Sequence, residues 1–357
     1  MSEIWRLLDT GLQSPIRNIA LSRALLEARH ADEIPSTLRF GRSTGCVLVG
    51  YSEHVEQVVD VEACREHGIP IYDRLTNGST GYIDERHLLC ELYLHRRDVD
   101  ISDVRTATKR ICHAAATAIG ALGVNAHQRA GTEIEVDGRV IGSVACALDG
   151  RAIVLQTALI MHSGTRGSDV LTMGGGTLGK AAAHAVHART RSLQDVLGSP
   201  TDAPKVKHNL AEAFESEFDV EFRDGDLTLS EQERSKTTLR LLESGGLSPR
   251  FADSRSDLRV LEATHECRGA VLRALLLYDV VTQAVRQAWF SDEPAGYSQL
   301  TMVDLEAWLR DTPLSELGSR IQRFFTSRTV DTRMPSASDF LTVMRRAIEQ
   351  PFLARNS

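Results

Sequence analysis

Paired cysteines are missing from this chain. Cys46, Cys64, Cys90, Cys112, Cys146 and Cys267 stand apart, with no C-x-x-C spacing among them. That excludes a zinc framework of the usual spacing and a disulfide scaffold, and points to reduced thiols in a cytoplasmic setting. No apolar run approaches ~18 residues, so no membrane span is expected. The opening MSEIWRLLDTG carries charge early and has no apolar core of a leader, so no signal peptide is expected. The G-x-S-x-G signature of hydrolases is absent, and so are internal repeats and low-complexity tracts. Positive charge is in deficit, with 41 Lys and Arg against 48 Asp and Glu and a net charge of −7. Phosphate binding needs a basic face, so nucleic acid is not the expected partner.

What is present is ordinary globular material: 357 residues, 42% hydrophobic and 25% charged, enough for two domains with a sizeable core. Strand-like segments (Trp5–Asp9, TLRFGRS, TGCVLVGYS, IPIYDR, LLCELYLHR) alternate with helical ones (NIALSRALLEARH, HVEQVVDVEACREHG, VRTATKRICHAAATAIGALG). Two D-G turns divide TEIEVDGRVIGSVACALDGRAIVLQTALIM into a β-meander. Ser230 with Glu233 three residues later predicts a capping box at the start of LSEQERSKTTLRLLESGG. The polar SGGLSPRFADSRSD predicts a linker. It divides the chain into a first domain at 1–245, a linker at 246–254 and a second domain at 255–357. GAVLRALLLYDVVTQAVRQAWF then reads as two strands, and VDLEAWLRDTPLSELGSRIQRFF and SASDFLTVMRRAIEQ as helices, so the second domain is a small α+β unit.

Two motifs invite a functional reading and do not sustain it. GGGTLGKA, Gly174 to Ala181, approaches the P-loop pattern, but Ala181 stands where a hydroxyl should meet Mg²⁺ and SDVLTM is a poor buried strand. It reads as a glycine-rich loop before a helix. His184 and His187 are three apart and can share a helical face, yet a lone pair of this kind more often lies at the surface, and no metal site is expected from them.

The stretch DRLTNGSTGYID, Asp73 to Asp84, carries more. Its small, polar and glycine residues between two strands offer unblocked N–H groups and hydroxyls to a ligand. Together with flanking segments it resembles the lipoate–protein ligase, octanoyltransferase and biotin–protein ligase superfamily, and most of all the bipartite lipoate–protein ligases. WRLLDTG and NIALSRALLE are similar to the family's opening strand and its N-M-A-x-D-x-A-L helix, with Ser22 at the Asp position. LRFGRSTGCVLVGYSE and ACREHGIPIYDR follow the next two family segments. The loop is similar to R-R-x-T-G-G-G-A-V-x-x-D, retaining Arg74, Thr76, Gly78 and Asp84, with Asp73, Asn77 and Ser79 as departures. GTEIEVDGRVIGSVA resembles G-R-N-D-I-x-x-x-G-x-K-x-x-G-S-A, which puts Thr132 and Glu133 at the Asn-Asp pair and Gly142 and Ser143 at Gly-Ser. Arg139 then falls at the hallmark lysine, or Val140 under a one-residue shift. LQTALI resembles L-Q-H-G-x-I, with Thr157 and Ala158 at His-Gly. AVRQAWFSDEP and the helices after it resemble the accessory domain, with Trp289–Asp292 as its G-D-F-F turn.

The resemblance implies an α+β fold: a ligase-like catalytic domain of mixed sheets flanked by helices, and a small accessory domain. It implies lipoate or another medium-chain acyl group, activated with ATP and Mg²⁺ as an acyl-adenylate and passed to a lysine of a lipoyl carrier domain. That carrier would be the E2 of a 2-oxoacid dehydrogenase or a glycine-cleavage H-type protein. By the same resemblance Arg139 stabilises the acyl phosphate; Arg74, Thr76, Asn77, Gly78, Ser79, Thr80 and Tyr82 line the pocket with Thr132, Gly142 and Ser143; and Glu133 helps hold Mg²⁺ or the adenylate. Octanoyltransferases of the superfamily use a cysteine nucleophile, and NAHQRAGTE, before the meander, has none. Cys146 falls inside a strand and reads as a small buried hydrophobe. Lysine and arginine are not interchangeable at a tight site, so a second function stays open: a non-catalytic member that binds the carrier, a ligase or the cofactor.

Overall fold

The computed structural model describes residues 2–50, 53, 55–76, 80–98, 104–129, 132–164, 170–172, 180, 188–243, 257–267, 270–293, 299–327, 330 and 334–349. The expected linker, the glycine-rich motif apart from Lys180, and His184 and His187 lie outside them. Two compact units divide the chain, one of Met1–Ala147 and Arg151–Arg250, the other of Leu148–Gly150 and Phe251–Ser357.

The first unit begins with β1 (Glu3–Gln13), α1 (Pro15–His30), β2 (Thr37–Ser43) and β3 (Cys46–Val49). Two short helices follow, α2 (Val55–Val58) and α3 (Val61–Glu66), then β4 (Ile71–Asp73), β5 (Gly81–Ile83) and β6 (His87–His95). Next come α4 (Val104–Gly120) and the meander of β7 (Ala126–Arg129), β8 (Glu133–Val136), β9 (Arg139–Asp149) and β10 (Ala152–Ile160). The unit closes with α5 (Leu193–Leu197), α6 (Ala203–Phe218), β11 (Val220–Asp224) and α7 (Leu229–Glu243). An eight-stranded sheet runs β11-β1-β2-β6-β10-β9-β8-β7 and a small one runs β4-β3-β5. Pairing is mixed: β1 is parallel to β11 and β2, whereas β6 is antiparallel to β2 and β10. Parallel neighbours need a crossover, and α1 supplies it between β1 and β2.

Burial explains which segments read clearly. From Leu88 onward β6 is buried on both faces except at Leu89, so HLLCELYLH is a nearly continuous apolar run, as expected of a strand covered on both sides. Pro15 opens α1 at its first turn, where its missing N–H costs nothing. Leu21, Leu25, Leu26 and Ala28 of this helix pack with Tyr93, Ala147 and Val154 of the sheet.

Three local expectations are corrected. HVEQVVDVEACREHG is two helices, because Asp60 breaks the run and accepts the Ala63 N–H at 3.1 Å as cap of α3. The capping box of α7 lies two residues earlier than predicted. Thr228 Oγ1 accepts the Glu231 N–H at 3.2 Å, and Glu231 accepts the Thr228 N–H at 2.6 Å. Glu231 wins that place because its carboxylate is also buried against Arg6, at 3.0 Å from Nη1.

The second unit contains β12 (Leu258–Cys267), β13 (Ala270–Asp279), β14 (Ala284–Glu293), α8 (Gln299–Trp308), β15 (Thr312–Pro313), α9 (Leu317–Thr326) and α10 (Ala337–Glu349). Its sheet runs β12-β13-β14-β15. Leu272, Phe290, Phe324, Phe340 and Met344 form the centre of one core. The third correction falls here. Trp289–Asp292 are not a turn but part of β14, in register with β13 from Leu275 to Leu272. The turn is earlier, where the Asp279 carboxylate accepts the Val281 and Thr282 N–H groups at 3.0 and 2.9 Å. LRVLEATHEC, which has no clear alternation, is the strand β12.

Candidate functional site

Three polar residues sit side by side in the middle of the main sheet. Arg39 on β2 is the cross-strand neighbour of Glu91 on β6, and Glu91 is the neighbour of Gln156 on β10. Arg39 is fully buried and Glu91 is 4% exposed. Burying charge is tolerated only where partners replace water, and here they do. The Glu91 carboxylate accepts from Arg39 Nη1 at 2.7 Å, Tyr93 Oη at 2.5 Å, Gln156 Nε2 at 2.8 Å and Ser22 Oγ at 3.1 Å. Arg39 also donates to Thr10 Oγ1 at 3.0 Å and to Asn18 Oδ1. Burial, and then the Glu91 charge, push the Tyr93 phenol well above its ordinary range, so it stays a donor. Burial pulls the Arg39 guanidinium down, but the charges and hydrogen bonds of Glu91 and Tyr93 together outweigh it and hold the guanidinium above its ordinary value.

A cavity of about 80 Å³ lies over this row. Pro15, Asn18, Ile19 and Ser22 of α1 roof it; Leu89, Glu91, Ser143, Ala145, Gln156 and Ala158 form the sheet side. Leu48, Ile83, Leu75 and Arg74 add to the wall, with the hydroxyl residues Ser43 and Thr157. Cross-strand pairing places Leu89 opposite Ala158 and Glu91 opposite Gln156, and strand alternation puts all four on one face. Because the polar row is saturated within itself, the wall it presents does not demand a polar ligand. Arg74 is the one cation among the described lining residues. Burial depresses its guanidinium, while the charge of Glu53 and the Cys146 thiol act the other way. A cation held out of water is strongly attracted to a carboxylate or a polarised carbonyl.

The residues expected at the site separate on this geometry. Arg74 and Ser143 line the cavity, and so do Ser22, Thr157 and Ala158. Thr76 is buried and donates to Gln156 Oε1 at 2.8 Å. Thr80 donates to Glu53 at 2.6 Å. Asn77, Gly78 and Ser79 lie outside the described residues. Tyr82 stands on β5 near Gly45, where a Cβ would sit 2.8 Å from its hydroxyl. Asp84 accepts from Arg86 Nε at 2.8 Å and lies 3.1 Å from His87 Nδ1. Burial works against its charge, yet the hydrogen bonds from His87 and Arg86 win and hold its pKa well below the usual carboxylate range. Thr132 accepts the Val144 N–H at 2.7 Å, and Glu133 faces Arg189 at 3.8 Å.

Arg139 is not brought to the cavity. It is the first residue of β9, opposite Val136 across the D-G turn, exposed, with Nη1 on the Ala188 carbonyl at 2.9 Å. A register shift between Ile134 and Glu135 follows, where β9 carries an extra residue. Val140 stands opposite Glu135 and is not a lining residue either. Sequence reasoning missed Arg39, Glu91, Gln156 and Asn18. The available signal was a charge inside each of two apolar runs, TLRFGRS and LLCELYLHR.

Gly142 works through packing. A Cβ there would lie 2.6 Å from Leu159 Cδ2 and 2.7 Å from the Ala158 carbonyl oxygen. The oxygen belongs to strand β10 and cannot step aside cheaply. Gly142→Ala should therefore destabilise the first unit by about 1–3 kcal/mol, read as an earlier thermal transition. An unchanged transition would show that β9 and β10 separate freely at this point.

Among the described residues no three of His, Cys, Asp and Glu cluster to hold a metal. The one carboxylate among the described lining residues, Glu91, is committed to four donors, and Asp84 to Arg86 and His87. Neither of these two carboxylates is left open to a cation. None of the six thiols is in a disulfide, and all are buried. Burial pushes Cys46 and Cys112 up to about 12 and raises Cys64 and Cys90 as well, so none of these four is a ready thiolate. No helix among the described residues is long and apolar enough to cross a membrane.

The fold is that of lipoate–protein ligases. A chain from an archaeal lipoylation system, a bi-partite lipoate protein ligase and its E2 lipoyl domain from Thermoplasma acidophilum, superposes with TM-score 0.58 at 21% identity over 67% of this chain and 92% of that one. P. falciparum LipL1 in complex with lipoate superposes with TM-score 0.55 at 11% identity over 97% of this chain and all of the other. In sequence, octanoyltransferase LipM of Moorella thermoacetica is 30% identical over 263 residues, 66% of this chain and 94% of LipM. Residues 14–215 match the family described as the lipoyl protein ligase A/B catalytic domain, and the chain belongs to that family.

Proposed function

We propose that this protein holds a medium-chain acyl group, octanoyl or lipoyl, in the cavity beneath α1, with the carboxyl end at Arg74, for delivery to a lysine of a lipoyl carrier domain. The observation that carries the reading is the cavity itself. Its wall combines apolar side chains, a self-saturated polar row and one buried cation, a pattern suited to a chain with a single polar end. Arg74 N–H groups at the acyl carbonyl would stabilise the charge that develops there during transfer. The apolar wall would keep water from the reacting carbon. The relatives named octanoyltransferase LipM support an octanoyl group delivered already activated.

A second reading has one observation in its favour: among the described lining residues there is no lysine and no cysteine. Under it the protein binds the acyl group and does not transfer it. Calorimetry with octanoate and lipoate tests what the two readings share. Both acids should bind, and Arg74→Met should weaken them at least tenfold, about 1.4 kcal/mol. The absence of binding by the unaltered protein would overturn both. Intact mass of a lipoyl domain then separates them, after incubation with an octanoyl thioester or with lipoate, ATP and Mg²⁺. Acylation from the thioester supports transfer, acylation only with ATP restores the ligase chemistry, and an unmodified domain leaves the binding reading.

A further inference from the structure

Gln156 lines the cavity yet spends its amide elsewhere. Its Nε2 donates to Glu91 Oε1 at 2.8 Å, and its Oε1 accepts from Thr76 Oγ1 at 2.8 Å. The first bond fixes which way the amide points, because a carboxylate oxygen accepts only from the NH₂ side. The second then has an acceptor waiting at one place. Thr76 is fully buried, so its hydroxyl gains from that acceptor and loses by leaving it. Thr76 is two residues from Arg74, in a segment that is neither helix nor strand. On the other side of Arg74, its N–H donates to the Val49 carbonyl at 3.0 Å.

We propose that Gln156 is a positioning residue. It transmits the fixed place of the Arg39–Glu91 pair to Thr76, and so holds the segment Arg74–Thr76, with its cation, against the cavity. The proposal deepens the acyl-binding reading and rests on it for its ligand, but the anchor itself is testable without one. A merely structural Gln156 would affect stability. A positioning Gln156 affects the order of Arg74–Thr76 and, through it, acyl affinity.

Two readouts are needed, octanoate affinity and amide exchange in a peptide spanning Arg74 to Gly81. Thr76→Val removes the hydroxyl and keeps the shape; Gln156→Leu removes the relay; Thr76→Ser restores the hydroxyl. Thr76→Val and Gln156→Leu should each weaken octanoate on the order of tenfold, the loss of one net hydrogen bond, and raise exchange across the peptide. The double variant should be no worse than the more affected single one, since both act through one bond. Thr76→Ser should match the unaltered protein. Unchanged exchange and unchanged affinity in Thr76→Val would overturn the proposal, and so would strictly additive losses. If the unaltered protein binds no octanoate while exchange still rises in both variants, the acyl reading falls and the anchor stands.

Discussion

Arg39→Met should lower the stability of the first unit by about 3–5 kcal/mol, the cost of leaving one partner of a buried ion pair alone. Glu91 would keep Ser22, Tyr93 and Gln156 as donors, but none of them carries charge. The substitution also strips Asn18 Oδ1 and Thr10 Oγ1 of a donor. Glu91→Gln should destabilise as well, because its NH₂ group would meet donors from Arg39, Ser22 or Tyr93. The double variant Arg39→Met with Glu91→Leu separates two causes. For an isolated pair, removing both charges often restores most of the loss. Here it should not, because Ser22, Tyr93 and Asn18 would remain buried with too few partners and half-buried Gln156 would lose its acceptor. Chemical denaturation reads the effect. The units carry different tryptophans, Trp5 in the first and Trp289 and Trp308 in the second, so their transitions need not be fitted as one two-state step. Stability of Arg39→Met within 1 kcal/mol of the unaltered protein, roughly the worth of an exposed pair, would mean that water reaches the row.

The same row marks how far the sequence could be read. Strands buried on both faces announce themselves as apolar runs, so β6, β2 and the meander were legible, and their order carried the family resemblance. Within those runs Arg39 and Glu91 looked like exceptions. Their meaning depended on register, which brings residues 52 positions apart side by side and cannot be counted along the chain. Arg139 shows the reverse error. Its identity and its distance from Gly142–Ser143 fitted the hallmark position, but a bulge between Ile134 and Glu135 and the turn at Gly138 leave it exposed at the hairpin end. A strand inverts its faces with each residue, so an alignment uncertain by one residue could not say where that side chain goes. The box predicted at Ser230 failed for a related reason. Thr228 and Glu231 fit the pattern equally well, and only the tertiary partner Arg6 decides between them.

Ala145→Phe should abolish acyl binding while leaving the fold intact, with octanoate and lipoate weakened a hundredfold or more, about 2.7 kcal/mol. Ala145 lies on β9, on the cavity side with Ser143, and a phenyl ring placed there takes the space that the acyl chain would use. The ring enters a void rather than a filled core, so the usual penalty for overpacking is offset by new contacts. Thermal stability of the first unit should accordingly stay close to that of the unaltered protein, as commonly found when a cavity is filled. That contrast with Arg39→Met gives the experiment its force. Arg39→Met loses binding because the unit is destabilised, and Ala145→Phe loses binding with the unit folded. A ladder of linear acids sharpens it: the loss should grow with chain length up to octanoate, because a longer chain needs more of the space that the ring fills. Equal affinity of Ala145→Phe and the unaltered protein for octanoate would place the acyl group outside this cavity and remove Arg74 as its anchor.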